Sequence, residues 1–344
     1  MRRTRPALLM LLAATSGVPA PLNAAGPARA EQPANYVKPD DRNAALAYWE
    51  HLGTIDAATE QKLRALDWKA LDEASGGVPA ALVEVTTDDL WVKAHGLVRA
   101  SRLRKCNFEL NYEAGPGALM PHLARMRLGG TILRAFARRA ALEGNPARVG
   151  EYLAAMVRVG RHAADEPILI STLVGMAIAN AAMGEAESLL RAGRMSPESR
   201  AEVLAALRDL PPRDPMGLRA AIEGERDVFL PWIDRASDDE KTMKELGAML
   251  SQDERRGEFD ALAAKGPAAV REDVAKAREP YALVLEAWDL PDARDRIEGI
   301  GARVEKGEFG VLARMLTPSY LKMVDNDRKF KGQLAATIDR LDGK

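Results

Sequence analysis

Residues Ala118 to Leu190 constrain this chain more than any other stretch. They predict three consecutive helices. The first spans about Gly117 to Leu142. Its apolar residues Leu119, Leu123, Met126, Leu133, Phe136 and Ala140 recur mostly three and four apart, a spacing that stripes one helical face. Arg125, Arg134, Arg138 and Arg139 fall off that stripe and point elsewhere. Gly144 suits the end of one helix and Pro146 the start of the next. The second helix, to about Ala164, buries Val149, Leu153, Met156, Val157 and Gly160. The third begins near Glu166-Pro167 and reaches about Leu190. Ile168, Leu169, Ile170, Leu173, Val174, Met176, Ile178 and Met183 surround it on all sides. Such a helix is a core helix or a bilayer span. Asn180, Glu185 and Glu187 interrupt it, and carboxylates are expensive inside lipid, so it reads as a buried core helix.

The rest of the chain agrees with an all-α fold of antiparallel helix pairs, an irregular helical array around that central helix. Hydrophobic residues make up 47% of the 344, enough for a sizeable core, and strand-type alternation is almost absent. Ala is abundant; it is the best helix former and lets helices approach closely. A net charge of −1 leaves no basic surplus, which argues against nucleic-acid binding. The double proline Pro211-Pro212 marks the expected boundary between an N-terminal helical domain, 31–210, and a C-terminal helical region, 211–344. Ser196-Pro197-Glu198 is a strong helix start. Asp40 or Asp41 is the expected cap of the first helix, and Thr86 or Thr87 that of a later one. Ser237 to Lys265 carries few apolar anchors and reads as a solvated hairpin or a flap.

Residues 1–30 read as a secretory signal peptide. Arg2, Arg3 and Arg5 precede the short apolar run Ala7 to Ala14, and Ala28-Arg29-Ala30 fits a cleavage site. The expected product is exported, periplasmic or extracellular, with no stable membrane span after cleavage. Cys106 is the only cysteine, so no intramolecular disulfide can form. It opens the stretch Cys106 to Tyr112, the one place with period-two alternation, and reads as a small buried hydrophobe on an extended connector. A nucleophilic thiol would need a His partner, and none is local.

Two family resemblances bear on these helices. Leu133, Phe136, Ala137 and Ala140, then Gly144, then Val149, Leu153 and Met156 resemble one tetratricopeptide-type repeat over residues 130–163. The resemblance implies helix-pair packing. It departs at Val149 and Arg161, and the next turn expected near Ile178 is uninterrupted helix. Separately, Gly117-Ala118-Leu119-Met120-Pro121 is similar to the Gly-Leu-Met-Gln stretch of lytic transglycosylases. That resemblance implies a catalytic Glu upstream with a raised pKa, for which Glu109 and Glu113 are the candidates, although neither is followed by Ser.

No zinc-type pattern, phosphate loop or nucleophile elbow is present. Of the four histidines, His51, His95, His122 and His162, the last two lie on neighbouring predicted helices and are candidate binding residues, with Asp165 and Glu166 beside His162. Glu223, Glu225 and Arg226 cluster on one helix, and Glu223 and Arg226 are spaced to pair. His122, His162, Glu223 and Arg226 are the candidate binding residues; no resident metal and no cofactor are expected. The sequence therefore leads to an exported helical scaffold or interaction protein. Its partner would be another protein or a cell-envelope component, held in a groove between helix pairs. A cell-wall-directed enzyme of lytic transglycosylase type is the alternative.

Overall fold

The computed structural model describes residues 42–74, 77–117, 120–250, 256–317 and 319–343. The signal-peptide reading, the caps at Asp40 and Asp41, and Ala118 and Leu119 lie outside them. The described residues are helical, with no β-strand among them. In order they form α1 (Ala44–Leu52), α2 (Ala57–Arg64), α3 (Trp68–Glu73), α4 (Ala80–Val85) and α5 (Asp88–Ser101). A connector at 102–111 and a 3-10 turn at Tyr112–Gly117 lead to α6 (Pro121–Leu142), α7 (Pro146–Ala163), α8 (Leu169–Arg191) and α9 (Pro197–Arg208). Then come α10 (Leu218–Ala236), α11 (Glu240–Leu250), α12 (Arg256–Ala263), α13 (Pro267–Ala287), α14 (Ala293–Glu305), α15 (Gly310–Leu316) and α16 (Tyr320–Asp342).

Local chemistry explains several of the starts. The side chains of Asn43, Asp56, Asp67, Thr87 and Ser196 accept from backbone N–H groups in the first turns of α1, α2, α3, α5 and α9. Asn43 also exchanges two hydrogen bonds with Asn107, at 2.7 and 3.0 Å, so the connector is tied to the start of α1. Its residues alternate in exposure from Cys106 to Tyr112, although they pair with no strand. Glu166 accepts from the Phe108 N–H (3.1 Å) and from the Tyr112 hydroxyl, which ties these two residues of the connector to the link between α7 and α8.

The core centres on α7, which packs against α6, α8 and α9. Glycine makes that approach close. A Cβ on Gly160 would lie 2.7 Å from the Gly175 carbonyl oxygen, and one on Gly175 would lie 2.3 Å from that of Gly160. We expect Gly175→Ala to destabilise the protein by about 1–3 kcal/mol, because two backbones must part. Gly184, on the same helix, meets nothing within 4 Å. Gly184→Ala should instead be neutral or stabilise by about 0.5–1 kcal/mol. Urea unfolding of both variants tests the contrast, and equal effects would contradict it.

The apolar interior falls into two clusters. One runs from α1 to Met216 and includes Phe330 and Leu341 of α16; the other includes Leu169 and residues from Leu218 to Val324. The interior thus changes hands between Met216 and Leu218, a few residues past the double proline. The region 237–265, read as a solvated hairpin or a flap, contains two helices that pack on each other. It forms α11 and α12, with Met243, Leu246, Phe259 and Leu262 buried; 251–255 lie outside the described residues.

Helix α8 is the one described helix long and apolar enough to cross a bilayer, and most of its apolar stretch is covered by protein. It is not covered all round: Ile170 and Leu173 are exposed. Arg138, off the apolar stripe of α6, is almost fully buried all the same. Its Nε donates to Glu185 of α8 (2.5 Å), its Nη2 to Asp72, and its Nη1 to the Leu71 carbonyl (3.3 Å). Arg134 completes the clamp, with Nε 2.8 Å from the other Glu185 oxygen and its guanidinium stacked on Trp68. A charged group enters the core only when its hydrogen bonds are met there.

Candidate functional site

The four residues singled out from the sequence do not form one site. His122 is buried at the first turn of α6, stacked on Phe108 with ring centroids 4.2 Å apart, and neither ring nitrogen has a protein partner. Burial depresses its pKa, while Glu166 nearby works the other way. His162, at the end of α7, has Nδ1 2.7 Å from the Tyr48 hydroxyl. Burial, followed by the charge of Arg161, pushes its pKa down to about 4, so it is neutral at pH 7. Their environments are separate, and among the described residues no three His, Cys, Asp or Glu side chains are placed to hold a metal ion. Cys106 is buried, and desolvation followed by Asp165 and Glu166 drives its pKa up, the reverse of what a thiolate nucleophile needs.

Glu223 and Arg226 are likewise a correction. They do not bond each other: Glu223 pairs with Arg219 (3.5 Å), and Arg226 with its neighbour Asp227 (2.8 Å). Both pairs are surface contacts of small worth. The informative member of that cluster is Glu225. Its carboxylate accepts from the Leu169 N–H (3.2 Å), and desolvation pushes its pKa up to about 7 against that bond. Glu109 and Glu113 are exposed, not the desolvated setting a general acid of the transglycosylase class requires. The Glu113 carbonyl instead accepts from the Trp232 indole N–H (2.8 Å), over Gly115, whose φ of +59° a larger residue would resist.

A cleft lies elsewhere, between α5, α6 and the start of α7. It has a volume of about 610 Å³. Trp91 and Val92 of α5 form one wall, Phe136 and Tyr152 the back, and Arg139, Arg148, Glu143 and Asp88 the polar rim. Trp91 is 42% exposed and Val92 55%, with Val83 of α4 also exposed. Single exposed apolar residues need no explanation, but an indole at the mouth of a cleft is the kind of surface binding sites use.

The cleft is held by polar contacts behind the indole. Trp91 packs on His95, with centroids 4.1 Å apart. Arg148 Nη1 lies 3.0 Å from His95 Nε2, and the Tyr152 hydroxyl 3.2 Å from the same atom. Nε2 therefore accepts, which places the ring proton on Nδ1. Burial lowers the pKa of His95; Glu151 opposes this and Arg148 reinforces it. Arg139 is fixed by Glu143 (2.6 Å) and by the Thr86 carbonyl at the end of α4. Arg148, by contrast, has no carboxylate partner among the described residues. The arrangement offers a flat apolar platform, a fixed cation and a cation with no ion-pair partner among the described residues. It can hold an apolar group beside an anionic one.

From Leu90 onward the buried residues of α5 recur three and four apart. The stripe is already complete in Leu90, Ala94, Leu97 and Ser101, all buried. Trp91 and His95 lie one residue further round, and that offset was the available signal. A comparison with family models, with curated proteins and with solved structures finds no match to this chain.

Proposed function

We propose that the protein is an exported helical interaction protein that binds rather than transforms its ligand, and that the Trp91 cleft receives a segment of a cell-envelope partner. The observation that carries the reading is the exposed indole of Trp91 in one preformed cleft with Arg148, which has no ion-pair partner among the described residues. Aromatic and Arg side chains of this kind dominate protein-recognition sites. The matching segment presents an apolar side chain to Trp91 and a carboxylate to Arg148. The apolar N-terminal run, the helical architecture and the lack of a catalytic motif support the same reading.

The test uses the chain from Glu31 with a photo-crosslinking residue in place of Val92. We expect crosslinks to one envelope protein, lost in Trp91→Ala and in Arg148→Gln while circular dichroism stays unchanged. Crosslinking untouched by both substitutions would remove the cleft from the account. Turnover of peptidoglycan by the purified chain would replace it with the cell-wall enzyme reading.

A further inference from the structure

A second cleft of about 610 Å³ opens between the start of the connector, the last turns of α7 and the end of α9. Arg102 and Arg104 enter it from the connector and Arg158 and Arg161 from α7; Asp165 and Asp209 are its carboxylates. Four guanidiniums thus face two carboxylates. His162 also lines it but is neutral at pH 7 and adds no charge.

The cations are unequally compensated. Arg161 Nη1 lies 2.6 Å from Asp165, an ionic contact outside hydrogen-bond alignment. Arg102 makes only long contacts, 3.4 Å to Glu151 and 3.8 Å to Glu202. Arg104 is exposed, and neither it nor Arg158 pairs with a carboxylate among the described residues. Arg158 Nη1 is buried with no hydrogen-bond partner in the protein. A buried guanidinium N–H without an acceptor is costly, and such a group is where an oxyanion gains most.

We infer that this cleft is an anion site for a phosphate group carrying at least two negative charges, gripped by Arg158 and Arg104 with Arg102 and Arg161 at its flanks. Guanidinium forks match phosphate oxygens in geometry as well as charge. Arg158 and Arg104, the two cations of the cleft without a carboxylate partner among the described residues, call for a doubly charged group, and the volume leaves room for the body that carries it. The site shares no residue with the Trp91 cleft, so it stands or falls separately from the proposed function.

The probe is inorganic pyrophosphate, titrated calorimetrically into the chain from Glu31 at low salt. We expect one site per chain, weakening as salt rises. Arg158→Gln and Arg104→Gln should each reduce affinity by about tenfold, the loss of one charge-assisted bond. Trp91→Ala should leave it unchanged. Arg104 is on the rim, so its variant remains informative if Arg158→Gln fails to fold. No heat at millimolar pyrophosphate, or binding indifferent to Arg104→Gln, overturns the site. Sedimentation with phosphatidate vesicles, reversed by pyrophosphate, identifies a lipid headgroup as the source of the phosphate. Pyrophosphate binding without sedimentation identifies a soluble phosphorylated ligand.

Discussion

Glu185→Leu is expected to destabilise the protein by about 3–5 kcal/mol, the range for removing one partner of a buried ion pair. Glu185 is fully buried and holds Arg138 at 2.5 Å and Arg134 at 2.8 Å. Without it, Arg138 keeps Asp72, the Leu71 carbonyl and a long contact to the Ser188 hydroxyl (3.5 Å) and remains a buried cation, its side chain 1% exposed. The loss comes from that stranded charge, since the intact pair itself adds little net stability. Arg138→Met combined with Glu185→Leu should therefore recover most of it, because a thioether and an isobutyl group can fill the same volume. Arg134 and Asp72 are partly exposed and can return to water. Urea unfolding of the two single variants and the double variant gives the coupling directly. A double variant as unstable as the sum of the singles would mean that packing, rather than charge pairing, fixes α3, α6 and α8 together.

That network shows what the sequence could and could not convey. The three central helices were legible to within a few residues, since their signals are local: apolar spacing, Pro at the first turn, Gly after the last. The cap at Ser196 was legible for the same reason, and so was the alternation from Cys106 to Tyr112. Arg138 was not, because its partner Glu185 is forty-seven positions away and helical spacing is blind to a charge that finds a distant one. Asn43 caps α1, and its amide also bridges to Asn107 sixty-four positions away, a long-range link that local spacing does not carry. Helices α3 and α4 are six residues each, shorter than the window of about eleven residues over which a helical period shows. The clefts were illegible for a related reason: each is built from three segments, and only the fold brings them together.

Glu225→Gln is expected to stabilise the protein at alkaline pH by as much as about 3 kcal/mol, from a pKa near 7 against an ordinary 4.5. The sign follows from the direction of the shift. Because the folded-state pKa is raised, the fold favours the protonated carboxyl. That contribution is fully present below about 4.5 and is lost as pH rises through 7. Above pH 7 the native state carries a poorly solvated carboxylate that accepts from the Leu169 N–H. Glutamine keeps the accepting oxygen and never ionises. The side chain is partly open to solvent, and screening there brings the gain below the full figure. His162 slopes the other way: its pKa is lowered from 6.5 to about 4, so its contribution is present above 6.5 and lost as pH falls toward 4. Between pH 4.5 and 6.5 the two trends oppose each other in the wild-type chain. The difference between Glu225→Gln and wild type isolates the carboxyl: near zero at pH 4.5, rising through neutrality, level above pH 8. Chemical unfolding across that range measures it. A difference independent of pH would place the ionised carboxylate in water, and the space between α8 and α10 would then be wetter than its packing indicates.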